Sequence, residues 1–351
     1  MMQTVMVNAS AAYPVHIGGG LLDRTGELIA AAAKSRRCAV VTDSNVGPLY
    51  GGRVQDSLKR AGFDFLAYTF PAGEQSKNLD TYRKILEFFA LNRLTRSDFV
   101  IALGGGVAGD MAGFAAATYQ RGVDYIQIPT TFLAASDSSV GGKTAVDLEA
   151  GKNLAGAFHQ PKLVLCDTET FRTLPPETFA DGVAETVKHG LIADRDFFNS
   201  LMAGRMDTDI NGVVRRNVEI KASVVGEDEF ERGKRKLLNF GHTLGHAIEK
   251  LSGFTITHGH AVAIGMVLAC RAAERLGYSP TGTLATVLDA CRRFRLPTEC
   301  PYSAQALYDA ATGDKKRDGG SIDVVVLEET GRARTVRLDM EGLRAFVEAA
   351  L

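Results

Sequence analysis

The apolar run Phe99-Val100-Ile101-Ala102-Leu103 passes into Gly104-Gly105-Gly106-Val107-Ala108-Gly109-Asp110 and then a helical stretch, Met111–Thr118. No other segment constrains the fold of this chain as much. A short apolar run of strand-forming residues that ends in glycines and re-emerges as a helix reads as a buried strand–turn–helix unit. Glycines at 104, 106 and 109 let a backbone approach a ligand closely, and free N–H groups at a helix start face negative charge, as a pyrophosphate requires. The same glycines equally serve tight turns and close helix–strand packing. An acid about twenty residues further on customarily holds a ribose in such sites. Asp124 fits by count, and Asp43, at the end of an earlier strand, fits as well.

Around this unit, strand and helix patterns alternate. Val5–Val7, Val15–Ile17, Cys38–Thr42, Phe65–Phe70, Tyr125–Pro129 and Leu163–Cys166 read as strands, and Leu21–Ala33 and Leu79–Leu91 as helices. Such alternation predicts a largely parallel sheet flanked by helices. Residues 130–144 read as a loop in which hydroxyls, glycines, Asp137 and Lys143 suit a polyol or a phosphate. Gly142-Lys143-Thr144 is not a P-loop, because the upstream glycine of that motif falls on Asp137.

After Leu174-Pro175-Pro176 the pattern turns mainly helical, which divides the chain into 1–174 and 175–351. Phe179–Ile192 carries Glu185 and Lys188 three apart, either a surface pair or two charges projecting from an apolar helix into a cleft. Ile210–Val225 is a helix with Lys221, which alone reads as a solvated charge. Gly313–Arg317 is a basic loop, Ser321–Leu327 and Ala333–Leu338 form a hairpin, and Met340–Leu351 is a last helix. Four of the seven histidines, His242, His246, His258 and His260, fall within nineteen residues. Histidine is the commonest metal ligand and titrates near neutrality, so the cluster points to a metal or proton-transfer site. By spacing alone, His242 and His246 share one helix face. The helix from His258 to about Leu276 is apolar nearly all round and belongs at the centre of its domain.

Charge limits the partners. Forty Lys and Arg against 41 Asp and Glu leave a net charge of -1, so nothing draws the chain as a whole to nucleic acid or an anionic membrane; anion recognition must be local. Five cysteines without a CxxC pair read as reduced thiols, and no basic-apolar leader opens the chain, so a soluble cytoplasmic protein is expected.

Several stretches together resemble the 3-dehydroquinate synthases, which belong to the sugar-phosphate cyclases. They are Gly73-Glu74-Gln75, Gly104 to Asp110, Asp137-Ser138-Ser139-Val140-Gly141-Gly142-Lys143-Thr144, Gly151-Lys152-Asn153, Ala184-Glu185-Thr186-Val187-Lys188, Leu238 to His246 and His258-Gly259-His260-Ala261-Val262. They run in order from about residue 40 to residue 316. The resemblance implies a Rossmann-like α/β N-terminal domain that binds NAD+. It also implies a mainly α-helical C-terminal domain that binds a divalent metal (Zn2+ or Co2+) and substrate, an active site in the cleft between the two, and a homodimer.

Position by position, the resemblance implies Glu185, His242 and His258 as metal ligands, with His246 left as a substrate or phosphate contact. For NAD+ it implies Asp43, Glu74, Lys77, Gly106, Val107, Ala108, Gly109, Asp110, Thr130, Thr131, Lys143, Lys152 and the segment Thr170-Phe171-Arg172-Thr173. For substrate it implies Arg121, Asp137, Lys143, Asn153, Lys188, Lys221, Arg235, Asn239 and one of Lys315 or Lys316. The implied reaction, in the shikimate pathway, converts a seven-carbon keto-acid phosphate to a carbocycle. A hydroxyl is transiently oxidised, phosphate leaves by β-elimination, the ketone is re-reduced and an intramolecular aldol step closes the ring. The many cations suit a substrate that carries both a carboxylate and a phosphate. Two departures point toward the valiolone- and deoxy-inosose-forming relatives: His260, where the family has mostly Glu, and Phe132-Leu133-Ala134-Ala135-Ser136 before Asp137. Arg235 and Asn239 fit a dehydroquinate synthase, since an arginine there suits a carboxylate that those relatives' sugar phosphates lack. A metal-dependent polyol dehydrogenase, the other reaction class considered, has less use for Lys152, Lys221 and Arg235.

Overall fold

A computed structural model describes residues 2–312 and 320–351. The chain forms two compact units, Met1–Leu174 with Val214–Phe230, and Pro175–Val213 with Glu231–Leu351. This differs from the single division after residue 174 in one stretch. Val214–Phe230 clusters with the first unit, where Lys221 reaches Asp137 and Gly226 lies against the carbonyl of Asn8.

In the first unit, β1 (Gln3–Val7) and β2 (Tyr13–Gly18) precede α1 (Thr25–Ala32), β3 (Arg37–Asp43), α2 (Gly52–Arg60) and β4 (Asp64–Phe70). Then come α3 (Leu79–Leu91), β5 (Phe99–Gly104), α4 (Gly106–Thr118), β6 (Asp124–Pro129), β7 (Lys143–Leu148), β8 (Gly151–Phe158) and β9 (Leu163–Asp167). Seven strands form one sheet in the order β1-β2-β9-β6-β5-β3-β4, parallel throughout except for edge strand β1. β3, β5 and β9 are almost wholly buried, as strands covered on both faces must be, which is why they read as apolar runs. Alternate residues serve opposite faces. Ala39, Val41, Val100 and Ala102 pack with α3 and α4, whereas Cys38, Val40, Phe99, Ile101 and Leu103 pack with α1 and α2.

Two local expectations differ from this unit. Leu21–Ala33 is not one helix, since a tight turn at Leu22–Arg24 precedes α1. The region 130–144 is not all loop: a helical turn occupies Ala134–Ser138, and Lys143 opens a two-stranded hairpin, β7 with β8. The hairpin escaped the pattern because Gly151-Lys152-Asn153 and Gly156 are poor strand formers.

The second unit is mainly helical: α5 (Pro176–Ala193), α6 (Arg195–Met202), α7 (Arg205–Thr208), the first residues of α8 (Ile210–Glu227), α9 (His242–Leu251), α10 (His258–Arg275), α11 (Thr283–Phe294) and α12 (Ala304–Thr312). The hairpin of β10 (Ser321–Glu329) and β11 (Arg332–Asp339) and the helix α13 (Met340–Ala350) complete it. The short helices α6 and α7 and the helices α11 and α12 were not read from the sequence. As expected, α10 is buried nearly all round, packed by α5, α9, α11 and α13. It meets α9 through glycine. A Cβ on Gly265 would lie 2.0 Å from the carbonyl oxygen of Gly241, and one on Gly245 would lie 3.1 Å from that of Ala261. Gly241 itself, at φ +79, is the left-handed residue that ends the tight turn Lys234–Asn239 and lets α9 begin at His242.

Candidate active site

The glycine turn of the first unit divides its labour. A Cβ on Gly104 would lie 2.6 Å from Cβ of Ala108, and one on Gly109 would lie 2.8 Å from Oε1 of Gln127, so these two positions are fixed by packing. Gly106 is freer, with only Ser138 Oγ, at 3.3 Å, within tight range. The first hydrogen bond of α4 runs from Gly109 N–H to Gly105 O, which leaves the N–H groups of Gly106, Val107 and Ala108 at the open start of a thirteen-residue helix. Packing therefore accounts for Gly104 and Gly109, and the start of α4 at Gly106 is left open to a ligand.

The choice between Asp43 and Asp124 is geometric. In the parallel pair β5–β6, Asp124 lies beside Phe99 and Pro129 beside Gly104, so Asp124 is at the far end from the glycines, facing Lys162 at 3.4 Å. Asp43 is at the glycine end. Its Oδ1 accepts the N–H groups of Asn45 (2.8 Å) and Val46 (2.9 Å), and its Oδ2 lies 3.3 Å from where a Cβ on Gly104 would be.

Beside it the β7–β8 hairpin gathers five more expected residues. Lys77 Nζ pairs with Asp110 at 2.6 Å and donates to Asn153 Oδ1, while Lys152 pairs with Glu74 at 3.3 Å. Asn153, held at φ +56, donates its N–H to Asp147, whose own N–H donates to Lys77 O. Burial lowers the Lys77 pKa, but the charges of Asp110, Glu74 and Asp147 outweigh it and hold the lysine above its ordinary value, so it is cationic. Lys221 is no solvated charge; it is buried and joins both the carboxylate and the carbonyl of Asp137. The Thr130 hydroxyl is buried without a hydrogen-bond partner among the described residues, and Thr131 Oγ1 accepts from Ala134 N–H. Tyr50 donates to Thr170 O and touches the Thr173 hydroxyl; Phe171 packs on Phe132, and Arg172 is exposed. Lys143 is exposed at the start of β7. Arg121 stands apart, exposed in the turn at the far end of α4, about 20 Å along that helix from the glycines.

In the second unit, Glu185 and Lys188 are no surface pair: both are buried and in contact. Glu185 Oε1 lies 3.5 Å from His242 Nε2 and 3.3 Å from His258 Nε2. These are the separations of neighbouring ligands at a tetrahedral ion with bonds near 2.0–2.1 Å, about 3.3–3.4 Å. His242 Nδ1 meets the carbonyl of Phe240 at 3.1 Å, where only a donor fits, so that ring turns a lone pair on Nε2 toward Glu185. His258 Nδ1 meets Glu249 Oε2 at 3.3 Å and its Nε2 faces Glu185; burial lowers its pKa, but the hydrogen bonds and charges of Glu185 and Glu249 outweigh it and raise it to about 10. Burial, reinforced by Lys188, holds the His242 pKa well below the ordinary value, so that ring is neutral. His246 has turned the other way, its Nδ1 only 2.7 Å from Glu249 Oε2. That is a hydrogen-bond distance, too short for two ligands of one ion. Spacing along α9 would have paired His242 with His246; the approach of α10 brings in His258 instead.

Arg235 is almost wholly buried, and Asn239 Nδ2 donates to Glu231 Oε1 at 2.7 Å. Lys315 and Lys316 lie outside the described residues. Three participants went unread. Glu249 is buried on α9, three residues beyond His246, a spacing that marks it as a partner. Asp181 on α5 accepts from the N–H groups of Gly259 (2.9 Å) and His260 (3.3 Å) and from Thr257 Oγ1 (2.6 Å), which fixes the start of α10; no sequence signal foretells it. Glu231 lies in a highly charged stretch, residues 227–234.

A parallel-sheet unit with an open glycine turn, and a helical unit that brings Glu and two His together, are the fold of the sugar-phosphate cyclases. The solved 2-epi-5-epi-valiolone synthase of Streptomyces hygroscopicus subsp. jinggangensis 5008, with NAD+ and Zn2+ bound, matches with a TM-score of 0.87 and 27% identity, covering 99% of this chain and 98% of that one. Within that class, residues 67–181 match the family model of the 3-dehydroquinate synthase N-terminal part and residues 182–317 that of the C-terminal part. The 3-dehydroquinate synthase of Enterococcus faecalis is 43% identical over 99% of this chain and 98% of its own length, and that of Caulobacter vibrioides 45% over 99% and 98%. The chain belongs to the 3-dehydroquinate synthase family.

Proposed function

We propose that this protein is a metal- and NAD-dependent lyase that converts 3-deoxy-D-arabino-heptulosonate 7-phosphate to 3-dehydroquinate and phosphate, in the cytoplasm and as a homodimer. The observation that carries the reading is the convergence of Glu185, His242 and His258 in a chain so similar, end to end, to 3-dehydroquinate synthases. Two Nε2 lone pairs and a carboxylate oxygen are the donor set of a catalytic zinc with one position left for substrate. Bound there, zinc would acidify a substrate hydroxyl; NAD+, held in the first unit, would take up and return one hydride.

The division of domain roles follows the residues. In the first unit the open N–H groups of Gly106, Val107 and Ala108 suit the pyrophosphate, and Asp43 suits a ribose hydroxyl. The Thr130 hydroxyl is a buried group awaiting a partner, and Glu74, Lys77, Asp110, Lys152 and Thr170–Thr173 complete the cofactor's surroundings. In the second unit Arg235 offers a planar cation for the substrate carboxylate, with Asn239 and Lys188 for its hydroxyls. His246, with Nδ1 on Glu249, keeps its Nε2 for substrate on a half-exposed ring. Lys143, Asn153, Asp137 and Lys221 are the first unit's candidates for substrate. Arg121 is assigned to substrate by resemblance alone.

The purified protein with NAD+ and zinc or cobalt is expected to release inorganic phosphate from the heptulosonate phosphate without net NADH, and far more slowly from sedoheptulose 7-phosphate or glucose 6-phosphate. Faster release from sedoheptulose 7-phosphate would give weight to His260 and the valiolone-type reading. NADH accumulation from a polyol without phosphate release would replace the cyclase with a dehydrogenase.

A further inference from the structure

We propose that Glu249 is a positioning residue whose single carboxylate oxygen, Oε2, sets the tautomers of two histidines at once, His258 and His246. The inference rests on Glu185, His242 and His258 being the metal ligands. A neutral imidazole has one proton for two nitrogens, and the hydrogen bond made by one nitrogen decides what the other can do. For His242 that decision is made by the backbone, through Phe240 O at 3.1 Å, and no side-chain replacement alters it. For His258 it is made by a side chain, Glu249 Oε2 at 3.3 Å from Nδ1, on the opposite edge of the ring from the Nε2 that faces Glu185.

The same oxygen lies 2.7 Å from His246 Nδ1. A carboxylate oxygen accepts, so both Nδ1 atoms donate to it, and Nε2 of His258 is the nitrogen left for a metal ion. His258 thereby keeps Nε2 for the ion, and His246 keeps Nε2 on the open side of a ring about half exposed. Glu249 is buried and comes from α9, while His258 stands at the first position of α10. The bond therefore ties the ligand contributed by one helix to the other. Asp181 anchors the backbone of the same turn from α5, so His258 is fixed in place by its backbone and in orientation by Glu249.

The test is zinc affinity, measured by competition with a chromogenic chelator, for the wild type and for Glu249→Ala, Glu249→Gln, His246→Ala and His242→Ala. Long-range 1H–15N spectra of the zinc-loaded proteins read the tautomers. Glu249→Ala is expected to bind zinc about 10- to 100-fold more weakly, the usual effect of removing a partner behind a ligand, and to lose the Nδ1–H pattern of His258. Glu249→Gln keeps the volume and one acceptor, and serves should the alanine variant fold poorly; about tenfold weakening is expected of it. His246→Ala leaves Oε2 to His258 alone and is expected to hold zinc within about threefold of wild type, which separates orientation of a ligand from a second metal set made of His246, Glu249 and His258. If both Glu249 variants bind zinc within twofold of wild type while His242→Ala has lost it, the proposal is wrong and the metal assignment stands. If His242→Ala binds zinc as wild type does, the metal assignment itself falls.

Discussion

His242→Ala is expected to abolish tight zinc binding, and with it phosphate release, whereas His246→Ala keeps its zinc and still loses turnover. The two residues are one helical turn apart on α9, their rings 5.3 Å apart, and spacing alone treats them as equivalent. Their hydrogen bonds separate them. His242 gives Nδ1 to a backbone carbonyl and turns Nε2 to Glu185, while His246 gives Nδ1 to Glu249. Removing one of three protein ligands should weaken zinc by more than the roughly 100-fold seen for partners behind a ligand. Removing a group that contacts the substrate should leave zinc affinity intact and slow turnover by about a hundredfold or more. Equal metal loss in both variants, measured by zinc content after dialysis against a weak chelator, would contradict the assignment.

Gly265→Ala is expected to disrupt fold and site together. The added Cβ would come 2.0 Å from Gly241 O, 2.9 Å from Gly245 N and 3.0 Å from Gly241 C. All three are backbone atoms, with no flexible side-chain end to move aside. Overpacking of this kind typically costs about 1–3 kcal/mol, and backbone on both sides puts this case at or above the upper end. The contact is where α9 meets α10, so parting them also parts His242 from His258, at the starts of the two helices. Urea unfolding is expected to show a loss of about 3 kcal/mol or more, with zinc affinity falling in the protein that remains folded. A variant of wild-type stability and zinc affinity would mean that α9 and α10 do not pack as described.

The parallel sheet was legible because strands buried on both faces have no polar face to disguise them; Phe99–Leu103 and Leu163–Cys166 contain no charge. The β7–β8 hairpin was not, because glycines and Lys152-Asn153 dilute its strand pattern, although it gathers Lys77, Lys152 and Asn153. Asp124 fitted by count and Asp43 by its place at the end of an earlier strand; register shows that Asp124 stands at the far end of its strand from the glycines. Lys221 read as a solvated charge, and Glu185 with Lys188 as either a surface pair or two charges in a cleft; their burial depends on neighbours distant in sequence. The trio Glu185, His242 and His258 spans three helices, and no period of one helix contains it; it came from resemblance. Glu249 was within reach, three residues past His246 on the same helix.

The most direct test is anomalous diffraction from crystals of the zinc-loaded protein, recorded on both sides of the zinc absorption edge. A single strong peak is expected, bonded to a Glu185 oxygen and to Nε2 of His242 and His258 at about 2.0–2.2 Å. A peak on His246 and Glu249, with Glu185 left uncoordinated, would contradict the account.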